Sequence, residues 1–286
     1  MSMRAKRPRG HLPRWARRTI GAAVMLVGAA LLAYPALSDY ALRVHQQAVM
    51  GSQEDWATKA QREELERAWE EAQAYNRALG GEQEDESAQG DLHEAYEQAL
   101  NLLGDGVMAV VEIPSIDVKL PVYHGTSEDA LAHGAGHVEG TALPIGQTGD
   151  HAVITAHRGL PSSQLFSRLN DVEVGDRFAI RVLNKTLTYE IDSISTVLPN
   201  DVSMLEPDPE QDLVTLVTCT PYMVNTHRLL VRGHRVEDGA RETGANEARV
   251  DLLSPELAGV LLGLAILAVC YTTKRLIRGR DCDHPE

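Results

Sequence analysis

The chain has 286 residues, enough for one large domain or two small ones. Its formal net charge of −14 is unevenly distributed, because residues 39–255 hold 16 Lys and Arg against 37 Asp and Glu, a net charge of −21. So acidic a central region disfavours nucleic acid as a partner, since that binding depends on neutralising phosphates.

The N-terminal 38 residues are typical of a membrane anchor. Residues 1–18 form a basic tail with seven Lys and Arg residues, and no Asp or Glu occurs in residues 1–37. Residues 19–38 are uncharged and long enough to span a bilayer as a helix. A cleavable signal peptide shares these features, but its apolar stretch is normally shorter. We therefore predict a retained transmembrane helix over residues 19–38.

Residues 39–103 are predicted to be helical, with an acidic loop inside them. Apolar and small side chains recur every three or four residues, which indicates a helix with a narrow packing stripe. The members of the stripe are Leu65, Trp69, Ala72, Asn76 and Leu79. Gly80 and Gly81 end the pattern, and residues 82–90 form an acidic loop without core-forming side chains. A short helix is predicted to resume over residues 94–103.

Residues 104–240 have the pattern of a β domain. Short β-branched runs alternate there with Gly, Pro, Asn and Asp, which is typical of the strands of a sandwich or barrel. Strands are predicted over residues 107–113, 118–122, 152–156, 177–183, 186–194, 212–218 and 229–236. The sequence therefore predicts one mainly β domain with a closed or nearly closed sheet.

A second apolar stretch follows the β domain. Residues 241–256 are predicted to be a linker, residues 257–273 a second transmembrane helix and residues 274–286 a tail. Basic residues flank each predicted membrane helix on its terminal side, and those of the second are Lys274, Arg275, Arg278 and Arg280. By the positive-inside rule both termini are cytoplasmic, which places residues 39–256 outside the cell membrane.

Cys219 is the candidate nucleophile. The chain has three cysteines, and Cys270 and Cys282 lie in or beyond the second apolar stretch, so Cys219 is the single thiol of the outer region. An unpaired thiol in that compartment is either a buried structural residue or a reactive group. The alternating run before Cys219 predicts a strand that delivers the thiol to its end, where Pro221 turns the chain.

Arg228 and His157 are the candidate partners of this thiol. Arg228 opens the next apolar run, so two neighbouring strands would bring the guanidinium and the sulfur to the same end of the sheet. A fixed cation favours a thiolate and can stabilise the oxyanion of an acyl-transfer intermediate. His157 is the candidate acid/base, because it stands at the end of a β-like run before a Gly/Pro turn. His227 is the rival, but strand alternation directs it away from Arg228.

No metal or cofactor site is predicted. The eleven histidines are scattered, without a pair at i, i+4 on a helix, and no second cysteine lies near Cys219. The sequence also has no Gly-rich loop of the kind that cradles phosphates. We therefore expect the candidate chemistry to use side chains alone.

The segments around these three residues share their pattern with a known family. They read Thr-Leu-Val-Thr-Cys-Thr-Pro-Tyr around Cys219, Asn-Thr-His-Arg-Leu around Arg228 and Ala-His-Arg-Gly around His157. Further matching segments begin at Gly104, Ile113, Leu120 and Gly136. Together they cover about residues 104–236, and they resemble the sortases, in particular the class C or pilus-assembly sortases.

The resemblance implies an eight-stranded sortase β-barrel and a thioester mechanism. It implies that Cys219 is the nucleophile, His157 the acid/base and Arg228 the stabiliser of oxyanion and substrate. In the family, the thiolate cleaves an LPXTG-like sorting signal, and an amine resolves the thioester. In class C that amine is typically a pilin lysine, which implies pilus polymerisation. The alternatives are attachment of single surface proteins to peptidoglycan and a non-catalytic, anchored β-barrel that binds a partner.

One segment departs from the class C pattern. These enzymes usually carry a lid with an Asp-Pro-aromatic motif over the active site, and residues 79–103 contain no such triplet. The nearest positional match is Asp91-Leu92-His93. As a degenerate lid, this triplet would pair Asp91 with Arg228 and bring His93 towards Cys219. The alternative is that residues 82–93 form a mobile acidic linker without an autoinhibitory role.

Overall fold

The structure, a computed structural model, describes residues 13–80, 86–159, 163–222 and 224–237. The chain divides into two compact units, one formed by Met1–Ser38 with Ala245–Glu286 and the other by Asp39–Gly244. In the first unit the described residues are the N-terminal part of helix α1, which spans Arg14–Lys59 and contains Pro35. The second unit contains the sheet and the remaining helices.

Helix α1 contains the one stretch, among the described residues, that is long and apolar enough to cross a membrane. By length and composition that stretch spans Thr19–Lys59, near the N-terminus. It includes the transmembrane helix predicted over residues 19–38. The second predicted helix, over residues 257–273, lies outside the described residues, as do the linker, the C-terminal tail and most of the N-terminal tail.

Eight strands of the described residues form a closed barrel. They are β1 (Val107–Ile113), β2 (Val118–Tyr123), β3 (Ala135–His137), β4 (His151–Thr155), β5 (Arg177–Val182), β6 (Lys185–Val197), β7 (Leu213–Thr220) and β8 (His227–Arg235). Around the barrel their order is β1-β2-β3-β4-β7-β8-β6-β5, and β5 closes it by pairing with β1. Only β2 with β3 and β4 with β7 pair in parallel. The prediction of a mainly β domain with a closed sheet is confirmed.

The barrel core follows the two-residue alternation of its strands. Val214 and Leu216 of β7 and Ile154 of β4 are buried in the core cluster. Inside the barrel, the rings of Phe178 and Tyr189 stack with their centroids 5.4 Å apart. Burying one such large apolar side chain contributes about 1.5–3 kcal/mol, so the packed interior holds the strand registers that position the outer face.

Three long helices pack against the barrel, and a fourth, short helix, α4 (Glu128–His133), lies in the connection from β2 to β3. The second half of α1 is held by Gln46, whose Nε2 donates to the carbonyl oxygen of His133 at 2.8 Å. Helix α2 (Arg62–Leu79) buries Ala72 and Asn76 of the predicted stripe. Helix α3 (Glu86–Gln98) buries Tyr96 completely. The stripe is therefore a packing surface, as its narrowness predicts.

The predicted loop between the helices is wrong for residues 86–90, because α3 already begins at Glu86. The helix predicted over residues 94–103 is likewise shifted, since α3 ends at Gln98. Its apolar face comes from Leu92 and Tyr96, and Ala99 extends this face just beyond the end of the helix; all three pack on the barrel core. Three apolar side chains at helical spacing are enough here because the barrel supplies the opposing surface.

Strand β3 was not predicted from the sequence. It has three residues, and its Ala and Gly have little intrinsic β preference. A Cβ atom on Gly136 would collide with the carbonyl oxygen of Gly125, so the close approach of two backbone segments requires glycine there. The other strand predictions agree with the structure to within a few residues.

Candidate active site

Strands β7 and β8 bring Cys219 and Arg228 side by side. Cys219 is the penultimate residue of β7, and Arg228 is the second residue of β8. The two residues lie directly opposite each other in the antiparallel ladder. Directly opposed residues point to the same face of a sheet, with their Cβ atoms about 4.5–5.5 Å apart. The sulfur and the guanidinium therefore share one face at one end of the sheet.

His157 reaches the same level from β4. This strand pairs in parallel with β7, with Thr155 opposite Val217. The ladder continues past β4, because the Ala156 N–H donates to the carbonyl oxygen of Val217 at 3.2 Å. Extending that register by two residues sets His157 level with Cys219. His157, Cys219 and Arg228 thus lie at one level across three adjacent strands, and we call them the His-Cys-Arg row.

The row lies on the outer face of the barrel wall. The neighbours Ala156 and Leu229 are buried in the barrel core, so alternation directs His157 and Arg228 outward. Cys219 follows the same alternation, and all three side chains are half-buried. An outward, half-buried row can meet an extended peptide while the barrel supports it from behind.

Hydrogen bonds fix the backbone under the row. The Thr218 hydroxyl donates to the carbonyl oxygen of Ala156 at 2.8 Å, which joins β7 to the end of β4. The carbonyl oxygen of His157 accepts the N–H of Phe166 at 3.1 Å. Gly159 lies two residues after His157, and its φ of +87° allows the chain to turn sharply there. The imidazole is therefore held on a short, anchored segment rather than on a free loop.

Among the described residues, Arg228 contacts two carbonyl oxygens and keeps most of its donors available. Its Nη1 lies 3.4 Å from the carbonyl oxygen of Asn225 and 3.2 Å from that of His227. Neither partner is a carboxylate, so the guanidinium can still donate to an anion or a polarised carbonyl. His227 faces Thr220 in the ladder and contacts Thr226 at 2.9 Å, away from the row. Within the described residues, no group of three or more His, Cys, Asp or Glu side chains could hold a metal ion.

His151, which was not singled out from the sequence, fastens a loop beside this face. Its Nε2 lies 2.7 Å from the Thr215 hydroxyl, and its Nδ1 lies 3.0 Å from the carbonyl oxygen of Glu206. Burial lowers the pKa of His151, which keeps the imidazole neutral near pH 7. Because Glu206 lies on the connection from β6 to β7, this contact holds the connection against β4 and β7. The only signal in the sequence is an outward position at the start of a β-like run.

Known proteins are similar to this chain over the barrel. The family described as "Sortase domain" matches residues 111–236. The structure of sortase C1 from Streptococcus agalactiae is 42% identical, and the similarity covers 68% of this chain and 100% of that one, with a TM-score of 0.63. Sortase A from Corynebacterium diphtheriae is 40% identical, with 70% and 98% covered and a TM-score of 0.60. This chain belongs to the sortase family.

The sortase match covers the barrel from within β1 to just beyond β8. Sortases are cysteine transpeptidases, and several structural neighbours of this chain are sortases C from streptococci. A curated relative, Sortase SrtE1 from Streptomyces coelicolor, is 33% identical over 156 residues, which are 50% of this chain and 44% of that protein. The chain spans about half the length of the curated relatives that it matches.

The triplet considered as a degenerate lid lies elsewhere in this sortase. Asp91, Leu92 and His93 are on α3, where Leu92 packs against the barrel core and Nδ1 of His93 lies 2.6 Å from Oε1 of Glu139. Glu139 follows β3 and is level with the start of β4, whereas His157 follows the end of β4. The structure therefore does not bring the triplet to the His-Cys-Arg row, and neither contact expected of a lid is formed.

Proposed function

We propose that this sortase is a membrane-anchored cysteine transpeptidase that cleaves an LPXTG-like sorting signal and joins it to a pilin lysine. In this proposal Cys219 is the nucleophile, His157 the acid/base, and Arg228 the group that stabilises the oxyanion and the substrate. The observation that carries it is the His-Cys-Arg row, in which three adjacent strands present these groups on one outer face.

The row can carry out acyl transfer with its own groups. The thiol of Cys219 gives its proton to His157 as its sulfur bonds to the carbonyl carbon of the Thr–Gly peptide, and the developing oxyanion accepts hydrogen bonds from Arg228. The C–N bond then breaks, and His157 gives a proton to the leaving amine, which leaves a thioester. An incoming amine attacks the thioester, its proton passes to His157, and the C–S bond breaks. Water in place of the amine would give slow hydrolysis.

Similarity to class C sortases supports a pilin lysine as the incoming amine. Proteins named Sortase A also match this chain, so attachment of single surface proteins to peptidoglycan is the second candidate. Deleting the gene and separating wall extracts by denaturing electrophoresis distinguishes the two. Loss of a high-mass ladder supports polymerisation, whereas an intact ladder with released monomers supports attachment of single proteins.

The apolar stretch of α1 supports a membrane anchor with residues 39–256 outside the cell membrane. The proposal includes a second anchor over residues 257–273 and a cytoplasmic tail over residues 274–286. Two cysteines report on this topology, since Cys219 would lie outside and Cys282 inside. A membrane-impermeant thiol reagent added to intact cells should label Cys219 and leave Cys282 unlabelled until the cells are permeabilised. Labelling of Cys282 on intact cells would contradict the orientation.

The direct test of the reaction is mass spectrometry of the purified protein incubated with an LPXTG-type peptide. We expect an adduct on Cys219 whose mass equals the peptide acyl group up to Thr. The adduct should disappear when hydroxylamine or a lysine-like amine is added, because thioesters react with both. Cys219→Ala is the matched control and should form none. If wild-type protein also forms none with any sorting-type peptide, the non-catalytic, anchored β-barrel is the better interpretation.

A further inference from the structure

Arg158, the residue after His157, links the two strand ends that carry the row. Its Nη1 donates to Oγ1 of Thr220 at 3.1 Å, and its Nη2 donates to Oδ1 of Asn170 at 2.8 Å. Thr220 directly follows Cys219 in the chain. One guanidinium therefore connects the residue beside the histidine to the residue beside the thiol.

This link lies where the backbone ladder between β4 and β7 ends. Among the described residues, the ladder ends with the bond from the Ala156 N–H to Val217, and the Thr218 hydroxyl adds one bond to the Ala156 carbonyl. The row comes next, and beyond it the contact of Arg158 with Thr220 is the connection between the two segments. The distance between the two segments at the row is thus held by the bonds of Ala156 before it and by the Arg158 guanidinium after it.

Arg158 acts from the face opposite to the row. The core residues of β4 and β7 are even-numbered, and alternation places Arg158 and Thr220 on that same inner side, at the mouth of the barrel. Both partners of the guanidinium are neutral, and its Nε is buried without a hydrogen-bond partner among the described residues. A buried donor left unsatisfied is unfavourable. The half-buried bond to Thr220 and the exposed bond to Asn170 are thus the contacts that hold the guanidinium in this position.

We propose that Arg158 is a positioning residue that fixes the distance between His157 and Cys219 by clamping the end of β7 through Thr220. The inference rests on the proposed function of the row. A misplacement of reacting groups by about 1 Å can lower a rate about 100-fold. Because Arg158 lies behind the row, its loss should slow the chemical step and leave binding of the sorting signal unchanged.

The test is a double-mutant cycle on thioester formation with an LPXTG-type peptide. Arg158→Met and Thr220→Val should each lower kcat between about 10- and 100-fold with KM unchanged. The double variant should be no slower than the slower single variant, because both remove the same contact. Thr220→Ser keeps the hydroxyl and should retain most of the wild-type kcat. Arg168→Met is the matched control, because Arg168 is on the same connection but pairs with Asp171 at 3.1 Å.

Several results of this cycle would overturn the clamp. Among them are additive losses in the double variant, a rise in KM at unchanged kcat, and equal losses in Thr220→Val and Thr220→Ser. A kcat for Arg168→Met as low as that of Arg158→Met would also overturn it, because the effect would then belong to the connection in general. Thermal unfolding of each variant is measured first. If Arg158→Met does not fold, the comparison of Thr220→Val with Thr220→Ser decides the proposal.

Failure of the proposed function has a different signature. Alkylation of Cys219 by iodoacetamide needs no sorting signal. In the wild-type background, His157→Ala should change the pH dependence of the alkylation rate. In the Arg158→Met background the same substitution should change the profile much less. If no sorting peptide gives a thioester but this dependence is seen, the proposed function fails and the clamp stands. An equal effect of His157→Ala in both backgrounds overturns the clamp.

Discussion

The two ends of the barrel treat polar side chains in opposite ways. Where β4 and β7 end, the His-Cys-Arg row faces outward and is half-buried. Where they begin, half-buried Asp150 and buried Asp212 are enclosed by protein. The hydroxyl of Tyr189 donates to Asp212 at 3.1 Å, and the amide of Asn76 donates to Asp150 at 2.6 Å. The end where β4 and β7 finish keeps its donors open to a peptide, and we call it the open end. The end where these strands begin satisfies its donors within the fold, and we call it the closed end.

Because of this difference, we expect one end of the barrel to determine activity and the other to contribute to stability. At the closed end, Asn76 of α2 also accepts the N–H of Leu143 at 2.8 Å and donates to its carbonyl oxygen at 3.1 Å, so one amide joins helix and barrel. Leaving such groups unsatisfied in the interior lowers stability. Substitutions at the closed end should therefore reduce the free energy of unfolding and spare the rate, whereas substitutions in the row should do the reverse.

The largest effect is expected at the row itself. Cys219→Ala and His157→Ala should each lower the rate of peptide transfer by at least about a thousandfold, because the proposed nucleophile and the proposed acid/base would act as a unit. Both side chains are only half-buried, so the free energy of unfolding should change by no more than about 1 kcal/mol. Quenched-flow mass spectrometry and urea titration measure the two quantities. A large loss of stability with retained transfer would contradict the expectation that the row serves activity rather than stability.

Arg228→Lys should come next, with kcat lowered about 100-fold. An ammonium is a single point donor, and it cannot reproduce the planar fork of the guanidinium. Steady-state kinetics with an LPXTG-type peptide check this expectation. The exposed Arg62, which pairs with Glu66 on α2, provides the matched control Arg62→Lys. Near-normal turnover in Arg228→Lys would remove this residue from the proposed mechanism.

Asn76→Ala tests the closed end. It leaves Leu143 and Asp150 without their amide partner, so we expect the free energy of unfolding to fall by about 2–3 kcal/mol while kcat stays unchanged. Urea denaturation measures the first quantity and peptide transfer the second. Asn184→Ala, at an exposed position, should change stability by no more than about 0.5 kcal/mol. An equal effect of the two substitutions would contradict the role of Asn76.

A smaller, pH-dependent effect is expected for Asp212→Asn. Burial raises the pKa of Asp212 from 3.8 to about 6. The folded state then binds more protons than the unfolded state, so stability from this group falls as pH rises from about 4 to about 6. Asp212→Asn should remove that slope and raise the free energy of unfolding above pH 6 by about 1–2 kcal/mol. The gain is partial because an amide accepts the Tyr189 hydroxyl more weakly.

Urea titrations of both proteins between pH 4 and 8 test this slope. Burial lowers the pKa of His137 to about 4, so its contribution has the opposite sign and is lost as pH falls from about 6.5 through 4. Because His137 is present in both proteins, the difference between the two titration curves isolates Asp212. A difference that does not vary with pH would show that Asp212 has the same pKa in the folded and unfolded states.

The smallest effect is expected for His93→Ala. The contact of His93 with Glu139 is exposed, with side-chain exposures of 60% and 44%, so its removal should leave the free energy of unfolding almost unchanged. Iodoacetamide labelling of Cys219 should be as fast as in the wild type, because α3 packs near the start of β4. Asp91→Ala serves as the companion variant. Faster labelling in either variant would identify the triplet as part of a lid.

The sequence predicts the open end of the barrel better than the closed end. Alternation and turn residues are local signals, so the strand ends that carry Cys219 and Arg228 can be derived from them. The start of α3 and strand β3 depend on surfaces supplied by distant segments, and no local pattern reports those. The contact of Arg158 was not predicted for the same reason, since its partner Thr220 is 62 residues away and becomes a neighbour only through the parallel register of β4 and β7.

The parallel pairing of β4 with β7 also sets when the row can form during synthesis. His157 is made 62 residues before Cys219 and 71 residues before Arg228. At a rate of about 5–20 residues per second, the last of the three follows the first after about 4–14 s. Strands β5 and β6 are made in that interval and take places on the far side of the barrel, next to β1 and β8. A nascent chain therefore has no assembled row, and its thiol gains both neighbours only when β8 has left the ribosome.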